Sequence, residues 1–393
     1  MDNQGPSSMN NNCLVCSLQN ECTEDVAFVY ASTPILRDIV ASHLASFGAA
    51  FRLERELFRI ETDAGAAIRS LQTSLSEVER ADVRVSRERG AALMTAATLD
   101  VFGRQLETEW FDHALRNDTF TIFFQPIVDI RGMQDTRGIN VFAHECLIRA
   151  FADRNYNGGE IIQAAFARGS VHLFDSYARR LSIRKAGAQF IPGSKVFINF
   201  MPSSIYDPAF CMASAMEEMS HTQLTPPDIV FEVVESEEVQ DVKHLQKICD
   251  YYRKEGFGFA LDDVGTGSNS LQMVCDLKPD YIKLDKSLIS RVADPMYKGV
   301  IGKLAEFAAQ FGLSTIAEGI ETAETCETLR EMGIHLMQGY YFAKPAPHMR
   351  PDLAVPGPDF GVSSNDFKQM SDVLGNAVTP AHAPGLVNIS IDN

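Results

Sequence analysis

From residue 120 onward, short apolar runs recur at a regular interval: TIFFQPIVDI, NVFAHECLIRA, KVFINFMP, DIVFEVVES, FGFALDDVG, YIKLDKS, STIAEGIE and LMQGYYFA. Most are near-continuous in hydrophobicity, the pattern of strands covered on both faces. Between most of them lie stretches with helical spacing, such as LFDSYARRLSIRKAGAQF, DVKHLQKICDYYRKEG, DPMYKGVIGKLAEFAAQFG and TAETCETLREMG. Several of these end at a glycine, as a helix C-terminus should. Eight strands alternating with helices predict an α/β fold, a parallel sheet closed into a TIM-type (β/α)8 barrel over residues 118–348. An open doubly wound sheet is the alternative, but no glycine-rich phosphate loop follows an early strand.

Upstream, AFVYA reads as a strand, PILRDIVASHLASFG as a helix, FRLERELFRIE as one alternating strand, GAAIRSLQTSLSEVE as a helix and ADVRV as a strand. Residues 27–87 are therefore expected to form a small β-α-β-α-β region with a regulatory or dimerisation role. Residues 88–117 keep helical periodicity with few breakers and predict a linking helix. Residues 1–26 form a polar, cysteine-containing tail, and residues 349–393 a Pro-rich flexible one.

Composition narrows the function classes. A 45% apolar content over 393 residues supports a sizeable core. With 35 Lys and Arg against 52 Asp and Glu, the formal charge of −17 argues against a DNA or RNA polymer as partner. No apolar run approaches the roughly 18 residues of a membrane span, and MDNQGPSSMNNN lacks the regions of a signal peptide, so a cytoplasmic protein is expected. Cys146, Cys211, Cys249, Cys275 and Cys326 sit in apolar segments and read as reduced core thiols. Cys13, Cys16 and Cys22 could hold zinc or an iron–sulfur centre, with His43 as a fourth ligand. One pair plus a straggler is less than the two pairs of a strong zinc signature, and free thiols in a tail are the competing reading.

If the barrel closes, polar residues ending successive strands converge on one face: Glu145, Asn199, Glu232, Asp262 with Asp263, Lys283, Glu318 and Gln338. Taken alone, Asp262 and Asp263 fit a simple turn, and a lone Glu fits a solvated loop. Together, so many carboxylates in one mouth repel each other unless cations or protons offset them. Oxygen ligands without grouped His or Cys favour Mg²⁺, Mn²⁺ or Ca²⁺ over structural zinc. His144 beside Glu145 invites a zinc-protease reading, but Ile148 stands where the second His belongs.

These motifs occur in a recognisable order: FFQPIVD, ECLIR at 145–149, INFMP, FEVVES, LDDVGTG, KLD, AEGIET and QGYYFAKP. Over about 230 residues, 119–348, the chain resembles the EAL-domain family of cyclic di-guanylate (cyclic di-GMP) phosphodiesterases. The resemblance implies a modified (β/α)8 barrel with one strand reversed, and hydrolysis of cyclic di-GMP to the linear dinucleotide pGpG. By that similarity Glu145, Asn199, Glu232 and Asp262 would ligate one divalent cation, Mg²⁺ or Mn²⁺, and Asp262, Asp263 and Glu318 would serve a second. Lys283 would hold the attacking water, with Gln338 near it, Glu321 in the catalytic set and Glu235 bracing the loop from Val264 to Ser270. Arg149 would contact a substrate phosphate, and Gln125, Leu147, Pro202 and Asp285 would join it in binding substrate. A homodimer through the barrel is implied as well. Cys146 and Val264 depart from the usual alanine and phenylalanine; no ligand is missing. A non-catalytic cyclic di-GMP receptor signalling to a protein partner is the alternative, and a barrel metalloenzyme acting on another phosphodiester or an enolisable acid is a third.

Overall fold

The structure is a computed structural model that describes residues 26–87, 96–132, 138–233, 242–265 and 270–354. Cys13, Cys16, Cys22, Glu235, most of the Val264–Ser270 loop and nearly all of the C-terminal tail lie outside the described residues. No described helix is long and apolar enough to cross a membrane.

The first unit comprises β1 (Ala27–Ala31), α1 (Pro34–Phe47), β2 (Phe51–Glu54), β3 (Leu57–Ile60), α2 (Ala64–Ser74), α3 (Glu77–Ala81), β4 (Val83–Ser86) and β5 (Ala97–Thr98). The sheet order is β2-β3-β1-β4-β5, with every pair antiparallel. FRLERELFRIE is thus a hairpin and not one strand: Glu54 pairs with Leu57 across a two-residue turn in which Arg55 has φ 60°. The turn carries no Gly or Asn in its loop, and apolar and polar positions alternate on both arms, so the pattern conceals it.

Residues 99–116 differ from one linking helix. They form α4 (Leu99–Glu107) and α5 (Glu109–Arg116), which meet at Thr108, where the hydroxyl donates to the Arg104 carbonyl at 2.8 Å. The break follows from burial in two places. Leu99, Phe102 and Leu106 join the core of the first unit with Val29, Leu44 and Ile68, whereas Phe111, Ala114 and Leu115 enter the barrel's core.

The second unit runs β6 (Phe120–Asp129), β7 (Ile139–Phe151), β8 (Asn155–Tyr156), α6 (Gly158–Ala167), α7 (Val171–Gly187), β9 (Lys195–Phe200), α8 (Pro208–Ser220), β10 (Ile229–Val233) and α9 (Val242–Lys254). It continues through β11 (Gly258–Val264), α10 (Ser270–Leu277), β12 (Tyr281–Leu284), α11 (Lys286–Ile289), α12 (Pro295–Gln310), β13 (Ser314–Ala317), α13 (Ala323–Glu331), β14 (Leu336–Met337) and β15 (Asp352–Leu353). β6, β7, β9, β10, β11, β12, β13 and β14 close into a ring, and β6 is antiparallel to both neighbours while the other contacts are parallel. The expected barrel with one reversed strand is the observed fold.

His144 sits on the outer face of β7, 1% exposed; its Nε2 accepts the Arg350 N–H at 3.0 Å and its Nδ1 faces Ser194 Oγ at 3.3 Å. It helps seat the segment that reaches β15, which pairs antiparallel with the start of β7. Burial lowers its pKa to about 4. The native imidazole therefore stays neutral while the unfolded chain takes a proton near pH 6.5. Stability is complete above that value and falls as pH drops toward 4, by about 3 kcal/mol in all. Thermal melts at pH 8 and pH 5 should show a larger acid loss in the parent than in His144→Gln; equal losses contradict this assignment.

Candidate metal centre and cleft

Side chains along a strand alternate between faces, so residues two apart share the barrel interior. A lower layer is filled by Ile127, Ala143, Phe197, Val230, Ala260, Ile316 and Leu336, with Tyr281 packed against them. Two residues further along each upward strand, the inward position becomes polar: Glu145, Asn199, Glu232, Asp262, Lys283, Glu318 and Gln338. On β6, which runs the other way, the equivalent is two residues earlier, at Gln125, directly opposite Glu145 in the register. An apolar plug thus supports a polar ring at the mouth, the end of such barrels where sites are built.

Lys283 organises the ring. Its side chain is 1% exposed, and Nζ lies 2.6 Å from Glu318 Oε1, 3.1 Å from Glu232 Oε1, 3.1 Å from Asp262 Oδ1 and 3.4 Å from Glu145 Oε2. Glu145 also accepts from the Asn199 amide at 3.3 Å and the Gln338 amide at 2.8 Å. Gly339 makes the second contact feasible, since a Cβ there would lie 2.1 Å from the Ile320 carbonyl oxygen.

Asp262 and Asp263 are adjacent, and in a regular strand they would point to opposite faces. The pairing of β11 with β12 shifts register between Leu261 and Val264, and Asp263 has φ 54°, in the left-handed region. This bulge turns the second carboxylate toward the first. Ligand atoms of Asp262, Asp263 and Glu318 then lie within 4.8 Å of one another. The positive-φ backbone at Asp263 is what brings two consecutive acids to one side.

The charge balance is uneven. Burial raises the pKa of Glu232 well above the ordinary carboxylate range; Glu145, Asp262 and Glu318 add to that rise and Lys283 opposes it. Burial likewise raises Asp262, and raises Glu318 to about 8, again against the pull of Lys283. For Lys283, burial works downward, but the surrounding carboxylates prevail and hold it well above its ordinary value. Glu232 is fully buried, and its Oε2 has no hydrogen-bond partner. An unpartnered buried carboxylate oxygen, beside three further acids sharing the same ammonium, fits oxygen coordination of hard divalent cations.

Above the ring opens a cleft of about 310 Å³, lined by Gln125, Glu145, Leu147, Asp262, Lys283, Glu318, Glu321 and Gln338. Lys286 and Tyr340 also line it, and sequence reasoning missed both. Their signal is proximity: Lys286 follows Lys283 by three residues and meets Glu321 at 2.5 Å, while Tyr340 lies two residues past Gln338. Three expected substrate contacts sit off this wall. Arg149 is half-buried, donating to the Ile148 carbonyl at 2.8 Å, with its guanidinium 5.8 Å from the Phe123 ring. Pro202 is buried in the turn that follows β9, and Asp285 caps α11 by accepting the Ser287 N–H at 2.8 Å. Of the two departures noted in the sequence, Val264 is fully buried in the barrel's core and Cys146 is 5% exposed.

Residues 108–345 match the family model described as the EAL domain. Over 249 residues the chain is 32% identical to "Probable cyclic di-GMP phosphodiesterase PdeG" of Escherichia coli (strain K12), covering 60% of this chain and 46% of that protein. Over 129 residues it is 38% identical to "Probable cyclic di-GMP phosphodiesterase PdeB" of the same strain, covering 33% of this chain and 24% of that one. The chain therefore spans less than half the length of either relative. Among solved structures, a standalone versatile EAL protein from Vibrio cholerae O395 in its c-di-GMP-bound form is 30% identical, with a TM-score of 0.53 over 62% of this chain and 98% of that one.

Proposed function

The chain belongs to the EAL domain family, and on that premise we propose that it is a metal-dependent phosphodiesterase that hydrolyses cyclic di-GMP to linear pGpG. The observation that carries the reading is the complete polar ring, in which Lys283 touches four carboxylates while Glu232 Oε2 is left without a partner. Relatives named as cyclic di-GMP phosphodiesterases and the ligand-bound Vibrio protein support the same substrate.

In this proposal Glu145, Asn199, Glu232 and Asp262 would hold one divalent cation, and Asp262, Asp263 and Glu318 would hold the second. Mg²⁺ or Mn²⁺ bound there would supply Lewis-acid polarisation and charge neutralisation for an in-line displacement at phosphorus. Lys283 orients the attacking water by donating to its oxygen and stabilises charge on the phosphoryl oxygens. The water's oxygen forms the new bond to phosphorus as the bond to one ester oxygen breaks, the proton the water gives up ends on that leaving oxygen, and the ring opens to a linear product. Gln338 keeps Glu145 oriented, and Gln125 and Leu147 wall the phosphate side of the cleft. Arg149 reaches a phosphate after rotating from the Ile148 carbonyl. Glu321 and Lys286 flank the opposite rim as an ion pair. The homodimer belongs to this proposal too: Leu271, Met296 and Val300 are exposed apolar side chains on α10 and α12.

Incubating the protein with cyclic di-GMP and Mn²⁺, then separating nucleotides by anion-exchange chromatography, is expected to show pGpG accumulating with time. Tight binding with the cyclic dinucleotide recovered intact would establish the receptor reading instead.

A further inference from the structure

We infer that Asp175, on α7, is a positioning residue for the metal centre: it fixes the chain that leaves β9 just after Asn199. The inference rests on the proposed role of Asn199 as a cation ligand. Asp175 is 5% exposed, and each of its carboxylate oxygens is committed. Oδ1 accepts the backbone N–H of Met201 at 2.9 Å, and Oδ2 accepts the Ser204 hydroxyl at 2.6 Å and Arg179 Nε at 3.0 Å. Ser204 and Arg179 are themselves buried, and Arg179 extends to the Tyr252 hydroxyl on α9 at 3.5 Å. From the same helix, His244 Nε2 meets the Ile205 carbonyl at 2.5 Å.

The 201–205 segment is therefore gripped by α7 on one side and α9 on the other, and it begins two residues beyond Asn199. A buried ion pair is a poor stabiliser compared with apolar side chains of the same volume. A buried helix face that only needed to pack would do as well with leucine and methionine at 175 and 179, one turn apart on α7. The charged pair adds acceptors of fixed direction for one main-chain N–H and one hydroxyl. These set where β9 ends and how Pro202 turns. Asn199 reaches Glu145 on the neighbouring strand β7 at 3.3 Å, so a shift in the end of β9 moves a proposed ligand relative to its partners. Outer groups that orient metal ligands typically change affinity by about 10–100-fold when removed.

The test uses the full chain and titrates Mn²⁺ by calorimetry, with KM for cyclic di-GMP and a thermal melt measured alongside. Asp175→Asn is expected to weaken Mn²⁺ binding by about tenfold and to raise KM while still melting cooperatively. Ser204→Ala, which removes one tether without stranding Arg179, is expected to weaken Mn²⁺ binding severalfold. Arg180→Ala, on the outer side of the same helix where it meets Glu218, is expected to leave Mn²⁺ binding unchanged. If Asp175→Asn does not fold, Ser204→Ala decides. Folded variants whose Mn²⁺ affinity and KM match the parent overturn the inference. A parent that binds Mn²⁺ without turnover overturns the proposed activity alone, and the Mn²⁺ titrations still decide the role of Asp175.

Discussion

Replacing Lys283 with alanine is expected to lower kcat by about 10³-fold or more, the scale associated with losing both a water-orienting donor and a preorganised charge at phosphorus. The ammonium is fully enclosed and lies within 3.4 Å of oxygens from Glu145, Glu232, Asp262 and Glu318. Without it, four carboxylates face each other in a buried mouth, and protons or cations must take over its balancing role. The variant should therefore retain divalent binding, or bind more tightly, while losing turnover. That combination separates a reacting group from a structural one. Hydrolysis within tenfold of the parent would remove Lys283 from the reaction.

Chelation carries the second large effect. Stripping divalent ions is expected to bring hydrolysis to background, and Mg²⁺ or Mn²⁺ is expected to restore it. Glu145→Ala should not recover under the same treatment. Glu145 is the hub of the ring, accepting from Asn199 and Gln338 and facing Lys283. Its loss removes one proposed ligand and releases two amides that the structure holds in place. The same comparison can be read without activity: at about 100 times Kd, each Mn²⁺ held should stabilise the parent by about 2.7 kcal/mol in a thermal melt, and the variant far less. Equal stabilisation of both proteins would show that Glu145 does not hold the ion.

The barrel was legible because strands covered on both faces give near-continuous apolar runs, and eight of them could be read in order. The reversed direction of β6 has no such trace in hydrophobicity; only the family resemblance implied it. The ring was legible for a simpler reason, since each polar residue stands two positions beyond an apolar one at the same inward face. What a period of two cannot show is a bulge. Asp262 and Asp263 both serve the mouth because Asp263 adopts φ 54°, and nothing in LDDVG separates that from a plain turn. The hairpin at Arg55 was hidden similarly. The break at Thr108 depends on two cores claiming the two halves of one periodic stretch, which is a tertiary effect. Asp175 was missed because a charged residue in a helical stretch ordinarily reads as a solvated face, and here the face is buried against β9.

The most direct test runs the full protein with cyclic di-GMP and Mn²⁺ in water enriched in ¹⁸O, and reads the products by mass spectrometry. The expected product is pGpG carrying one ¹⁸O on its terminal phosphate, formed with metal, absent after chelation and lost in Lys283→Ala. Cyclic dinucleotide recovered intact, or linear product formed equally in the chelated protein, would contradict it.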